Sequence, residues 1–566
     1  MSKTYIFAVG GTGARVMRAL TMVLASGGGD IDSSFEFVPM IYDYDLKNGD
    51  KKRTVELMNK YKAIHDSAYN NTALTADRSK GAFFSGKLSM IREQSGRGAN
   101  GTSRDITENS GFDVDMSKLV QKLDAGGKKV YQSLIDYISF DQLGTNTGTQ
   151  ATKDLVESIY SSDELNMTLE KGFKGSPNIG CAVIDKIETL AEFRHFQVVY
   201  NPGDKIVIVG SVFGGTGATC IPSILRMLRS DGRTQNAQIA IIAALPYFKV
   251  DNSDTSKIDE KTYTAKTKAA IAAYQDMVYP KVNAIYYLGD NHAQNSFANH
   301  EGDDAQRNDA ALCELEGAMD ILHFAKLKND FFQNRHQCVA FEFGYNTEDV
   351  NVPQCVNYKH FMRDANINGN PCPQDEVIDA LNRLALFSKF NQLELQNPSG
   401  HCTVANWYQG HLDNPSAIVN VLKAGLIDFA EKQFDWIDEL QGTHTPRKLN
   451  LFNDNLRRTT DFTNLLAEPY NNLCRRPRLK RHYPEVECYG KEFVDRNSIV
   501  DMMSEEYGEQ RSTTDIRQRY LANNAGTVAD VNIPAFYIEL STIVWRKIYD
   551  AIRAFSANKK KNSNNE

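Results

Sequence analysis

What this chain lacks narrows its chemistry first. Its nine cysteines are irregularly scattered and include no C-x-x-C pair. That spacing argues against a disulfide framework or a zinc ribbon and for buried free thiols in a reducing compartment. No apolar run reaches the roughly 18 residues that a membrane-spanning helix needs, and Met1 to Thr4 lead straight into a strand-like run without a signal-peptide pattern. A membrane span is therefore not expected, and the cytoplasm is the expected location. Basic charge is not in excess: 64 Lys and Arg against 71 Asp and Glu give a net charge of -7, so nucleic acid is not an expected partner. The composition is not that of a disordered chain either, with 41% hydrophobic and 24% charged residues. At 566 residues the chain exceeds one small core and implies two packed domains with elaborations.

The richest stretch is Lys205 to Pro222, KIVIVGSVFGGTGATCIP. Ile206 to Val209 form a short β-branched run, the mark of a fully buried strand, which breaks into Gly210, Gly214, Gly215, Thr216 and Gly217. Ile221, Leu225 and Leu228 then recur at helical spacing. Strand, glycine loop and helix start suit a phosphate, because backbone N–H groups free of side chains can point at an anion beside the positive end of the helix dipole. Thr216 adds a hydroxyl.

The N-terminus repeats this theme: Thr4 to Val9 reads as a strand, Gly10-Gly11-Thr12-Gly13 as a turn, and Val16, Leu20 and Leu24 as a helical stripe. A dinucleotide fold is the rival for this segment, but Val16 stands where the third glycine of G-x-G-x-x-G would be. A second strand over Phe35 to Tyr42 ends on Asp43, Tyr44 and Asp45. These carboxylates suit a ribose, a hydrated magnesium ion or a helix cap.

Residues from about 49 to 170 read as a polar insertion with helices such as Val130 to Ile138, and Lys80 to Arg104 and Gly144 to Gln150 read as loops. A further organised loop, GFKGSPNIG over Gly172 to Gly180, leads into a helix expected over Cys181 to Phe193. Strands are expected at Gln238 to Leu245 and Ala284 to Leu288, with a helix near Thr264 to Met277 between them. A long helix over Asp309 to Leu327 is expected to use Asn308 and Asp309 as caps. Strands alternating with helices imply a mainly parallel, doubly wound α/β sheet. Beyond about residue 335, Gln337 to Phe343 reads as a strand, and two amphipathic helices are expected around Val419 to Leu440 and Phe536 to Phe555. Arg475 to Arg481 is a concentrated basic run read as a solvated loop, and Lys559 to Glu566 a frayed tail.

Taken together and in order, these loops resemble the tubulin/FtsZ family of assembling GTPases, in the form of a divergent bacterial tubulin-like protein. Gly214-Gly215-Thr216-Gly217 is similar to the family's glycine signature, Gly175-Ser176-Pro177-Asn178-Ile179-Gly180 to its preceding loop, and Gly10 to Gly13 to its first phosphate loop. The resemblance implies a GTP-binding domain over residues 1 to 325 with the insertion at 49 to 170. It further implies a long core helix, a smaller α+β C-terminal domain with a helical extension over 326 to 558, and a disordered tail at 559 to 566. It implies GTP or GDP with magnesium as ligands. Gly10, Gly11, Thr12, Gly13, Gly175, Ser176, Gly214, Gly215, Thr216, Gly217 and Ala218 would surround the phosphates. Asp43 or Asp45 would hold the magnesium through water, and Asp290, Asn291, Asn308 and Asp309 would meet ribose or base. Subunits would stack head to tail, with an acidic residue, Asp330 in this chain, acting on the neighbour's nucleotide. Phe213 and Thr219 depart from the glycine signature, and Arg226 stands where an acidic residue is usual. Two other functions stay open: a tubulin-like scaffold that uses nucleotide as a static ligand, and a dinucleotide-dependent oxidoreductase, for which no Tyr-x-x-x-Lys arrangement is present. The identity of any protein partner is not encoded in these motifs.

Overall fold

The structure is a computed structural model. It describes residues 3–45, 47–69, 81–95, 106, 110–171, 173, 176–250, 262–289, 296–297, 304, 306–332, 338–342, 373–396, 425–441, 538 and 541–542. The chain opens with β1 (Lys3–Val9), α1 (Gly10–Ser26), β2 (Glu36–Asp43) and α2 (Gly49–Tyr69), followed by short edge strands β3 (Lys87–Leu88) and β4 (Asp113–Asp115). A hairpin of β5 (Gln121–Leu123) and β6 (Lys129–Tyr131) precedes α3 (Thr147–Ile159), α4 (Pro177–Ile184) and α5 (Ala191–Val199). Then come β7 (Lys205–Ser211), α6 (Gly215–Ser230), β8 (Gln238–Ala244), α7 (Tyr263–Met277), β9 (Ala284–Leu288), α8 (Leu312–Lys326) and β10 (Val339–Glu342). Helices α9 (Pro373–Gln396) and α10 (Ile427–Gln441) follow.

All pairings in the main sheet are parallel, in the order β10-β9-β8-β7-β1-β2-β3, with β4 also on β2. Parallel strands are covered on both faces by their crossover helices, which is why β1, β7 and β8 read as continuous apolar runs. Alternate side chains face two cores. Tyr5, Phe7, Ile206, Ile208, Ile239 and Ile241 meet α4 to α7, whereas Ile6, Ala8, Val207, Ala240 and Ala244 meet α1, α8, α9 and α10. The smaller residues on the second face let α1 lie close to the sheet. Every residue of α1 except Gly11 is buried, since α2, α8 and α9 pack around it.

The structure bears out the α/β class, with strands within one or two residues of their expected bounds. It corrects several local expectations. The stretch expected as one helix over Cys181 to Phe193 is two, α4 and α5: Pro177 starts the first one turn earlier, and a 3-10 turn at Ile187–Thr189 followed by extended Leu190 separates them. Gly144 to Gln150 is not wholly loop, because the Asn146 side chain accepts the Thr149 N–H at 3.1 Å and starts α3. Val130 lies in a strand rather than a helix, turned by Gly127 at φ 78°, and only Leu134–Tyr137 make a helical turn beyond it. Neither Asn308 nor Asp309 caps α8, which begins at Leu312 with the Glu314 carboxylate taking the Ala311 N–H at 3.1 Å. The stretch read as an insertion opens with α2, packed on α1. In the C-terminal part, the helix expected around Val419 to Leu440 is α10 within the described residues. The basic run, the tail and most of the helix expected at Phe536 to Phe555 lie outside them.

Helix α8 contributes a second fixed point. Its 15 residues span about 22 Å, from the carboxyl ends of the strands to the opposite rim. There the Lys205 ammonium of β7 donates to the carbonyls of Phe324 (2.9 Å), Ala325 (2.8 Å) and Leu327. Burial pulls this lysine down to about 8, while the three carbonyls and the negative end of the helix favour its charged form.

Candidate functional site

Strand order reverses between β1 and β7: the chain leaves β1 toward β2 on one side and returns to β7 on the other. In open doubly wound sheets the crevice outside the carboxyl ends of the strands at this reversal is where ligands bind. Both glycine loops open there. Gly10 adopts φ 66°, and a Cβ on it would lie 3.6 Å from the Thr216 Cβ, so the loop after β1 abuts the loop after β7. Gly13 packs against the backbone of β1, where a Cβ would stand 2.7 Å from the Ala8 carbonyl carbon. Gly217 packs on β7, where a Cβ would stand 2.3 Å from the Ser211 oxygen. These two glycines hold helix against strand. Gly11, Gly214, Thr216 and Ala218 keep partial access to solvent. Helices α1 and α6 thus begin side by side, without a side-chain cap and without an acidic residue in the first turn of either. Their free N–H groups and dipole ends define a cradle for an anion.

A third segment joins them. Ser176 precedes α4, which packs along α6, and the Thr219 hydroxyl shares its one proton between the Gly215 carbonyl at 2.8 Å and the Pro177 carbonyl at 3.1 Å. Thr219, a departure from the glycine signature, therefore ties the GSPNIG loop to the first turn of α6. Gly175 lies outside the described residues, as do Asp290 and Asn291. Phe213, the other departure, is buried against Tyr263 at 4.9 Å and Phe248 at 5.5 Å between ring centroids. Arg226 is exposed and pairs with Asp185.

At the end of β2, Asp43 and Asp45 are both buried. Asp43 accepts the Asp45 N–H at 3.1 Å and the Asn48 amide at 3.4 Å, and Asp45 accepts the Lys47 N–H at 2.9 Å. Burial pushes the Asp43 carboxyl up to about 6, against the pull of Lys51 and the Asp45 N–H. Among the described residues no group of three His, Cys, Asp or Glu could enclose a metal ion. Asp43 and Asp45 alone could hold a divalent cation only if water or a ligand's oxygens supplied most of its shell.

Since folding raises the Asp43 carboxyl above its unfolded value near 3.9, its favourable contribution is complete below about pH 4 and lost as pH rises through 6. Asp43→Asn is therefore expected to stabilise the ligand-free protein by about 1–3 kcal/mol at pH 8. It should also flatten the slope between pH 4 and 6 in urea titrations; a variant less stable than the parent at pH 8 would contradict this.

Sequence reasoning missed the group that braces this edge. The Arg15 guanidinium, buried in α1, donates to Glu314 Oε1 (2.5 Å), Asp50 Oδ2 (3.0 Å) and Tyr247 Oη (2.6 Å), and Tyr247 in turn donates to Glu314 at 2.9 Å. Burial alone would lower the arginine; Tyr247, Glu314 and Asp50 hold it well above its ordinary value. Asp50 also accepts the backbone N–H and side-chain amide of Asn308 at 3.1 and 3.0 Å, which occupies a residue expected to read a base. Asp309 lies beside it in the segment before α8. From α10, Glu439 pairs with Arg18 and Arg53 and accepts the Ala310 N–H at 2.9 Å. Only the charged residue types at helix-facing positions signalled any of this.

Asp330 sits at the other rim, exposed, in the turn Asn329–Phe332 that follows α8. A cavity of about 650 Å³ opens beside it, lined in part by Tyr200, Asp204, Arg233, Gln238 and Asn329 at the amino ends of β7 and β8. The carboxylate is thus separated from the glycine loops by the length of α8.

Fold and strand order define a doubly wound parallel α/β protein with two glycine loops at its switch point. No protein-family model matches the chain, and no curated protein matches it. No helix among the described residues is long and apolar enough to cross a membrane.

Proposed function

We propose that this protein binds a guanine nucleotide with magnesium in the crevice between β1 and β7, and that it is a divergent tubulin/FtsZ-like protein that assembles head to tail. One observation carries the reading: the loops at Gly10 to Gly13 and Gly214 to Gly217 meet at the switch point while α8 leads away to an exposed acidic residue on the opposite rim. Two loops closing on one phosphate chain support a mononucleotide. A dinucleotide-dependent oxidoreductase would use one glycine loop and leave the second without a role. Asp330 cannot reach its own subunit's crevice, and a head-to-tail neighbour would bring an equivalent carboxylate there, coupling hydrolysis to assembly. Asp330 lies next to Lys328 and Asn329 rather than a second carboxylate, which favours slow hydrolysis or a static nucleotide over rapid turnover.

Titration calorimetry with GTP, GDP, ATP and NAD, joined to pelleting with phosphate release, tests this. Binding selective for guanine nucleotides and GTP-dependent pelleting are expected. Polymer without phosphate release would identify a scaffold, and selective NAD binding would overturn the reading.

A further inference from the structure

The glycine-loop crevice supplies N–H groups and helix dipoles, yet a phosphate chain carries several full negative charges that also call for a cation. Arg15, the cation nearest Gly11, is committed to Glu314, Asp50 and Tyr247. Lys51 is not committed. It stands in the first turn of α2, is 1% exposed, and its ammonium has no hydrogen-bond partner among the described residues. Its place is tied to the crevice from two sides. Its backbone N–H donates to Asn48 Oδ1 at 3.1 Å, and the Asn48 amide nitrogen lies 3.9 Å from a Cβ built on Gly11. The ammonium also acts on the buried Asp43 carboxyl without forming an ion pair within 4.0 Å. A buried ammonium lacking a partner is costly and calls for a physical explanation, of which an anionic ligand that completes it is one.

We propose that Lys51 is the phosphate-binding cation of this site, closing on the phosphate chain of a nucleoside di- or triphosphate laid across the N-termini of α1 and α6. This deepens the nucleotide reading and rests on it for the nucleoside, while the anion site stands on its own geometry. Among the described residues, Lys51 is the one lysine whose buried ammonium lacks a hydrogen-bond partner.

The test compares wild type, Lys51→Met and Lys51→Arg by calorimetry against GTP, GDP, guanosine and tripolyphosphate, with thermal unfolding of each ligand-free chain. Lys51→Met is expected to lose at least tenfold in affinity for GTP and tripolyphosphate, to bind guanosine as wild type does, and to unfold at the same or a higher temperature. Lys51→Arg should keep most of the affinity. A purely structural lysine would give the opposite pattern, a lowered unfolding temperature with unchanged tripolyphosphate affinity, and either result overturns the proposal. Wild type that binds tripolyphosphate but no guanine nucleotide would remove the nucleotide reading and leave Lys51 in place; wild type that binds neither removes both.

Discussion

An Arg15→Met chain is expected to lose about 3–5 kcal/mol of stability, because removing one member of a buried ionic group leaves its partners charged and desolvated. The loss falls mainly on Glu314, whose Oε1 keeps only the Tyr247 hydroxyl, while Asp50 retains Asn308 and Arg53. The same substitution frees the Thr12 hydroxyl, which Arg15 contacts at 3.5 Å, and so loosens the first glycine loop. Adding Glu314→Gln and Asp50→Asn should restore a large part of the loss, since the group then holds no unpaired charge. Urea titrations of the single and triple variants measure both effects. A single-variant loss under about 1 kcal/mol would mean that these charges do not brace the fold.

Two alanines at neighbouring glycines should separate folding from binding. At Gly217 a Cβ would meet the Ser211 backbone at 2.3 and 2.8 Å, so helix α6 must move off β7. Overpacking against backbone of this kind is expected to cost about 3 kcal/mol and to abolish nucleotide binding with it. At Gly11 the nearest atom to a Cβ is Arg15 Nη1 at 3.5 Å, an ordinary contact, and the position faces the crevice. Gly11→Ala should therefore stay within about 1 kcal/mol of the parent in stability and lose roughly tenfold or more in GTP affinity, about 1.4 kcal/mol. Calorimetry and thermal unfolding on the pair read this directly. Equal affinity for GTP in Gly11→Ala and wild type would place the phosphates elsewhere.

What could be read in advance was whatever has a local cause. Ile206 to Val209 announce a strand buried on both faces, and glycines at 10, 13, 214 and 217 announce close backbone approach, so the sheet and its two loops were legible. The brace at the crevice was not, because Arg15 meets Glu314 across 299 residues of chain and Glu439 meets Arg18 across 421. Nothing near Arg15 in sequence distinguishes it from a solvated arginine on a helix. Lys51 was missed for the same reason in reverse: its meaning lies in the partner that it lacks. The errors in α3 and α8 were errors of capping, where one side chain such as Asn146 or Glu314 decides which residue starts a helix, whereas the helix expected over Cys181 to Phe193 was divided by the break at Ile187 to Leu190.

The reversal of strand order also sets a clock. Phe7 of β1 pairs with Met40 of β2 but also with Ile208 of β7, 201 residues downstream. At about 5–20 residues per second of synthesis, β7 leaves the ribosome roughly 10–40 s after β1. Throughout that interval one edge of β1 is an open row of N–H and C=O groups on an apolar strand, the kind of edge that recruits chaperones or other nascent chains. The crevice comes into being only when that edge closes, so any ligand held there can act only after β7 has emerged and cannot guide the earlier steps of folding.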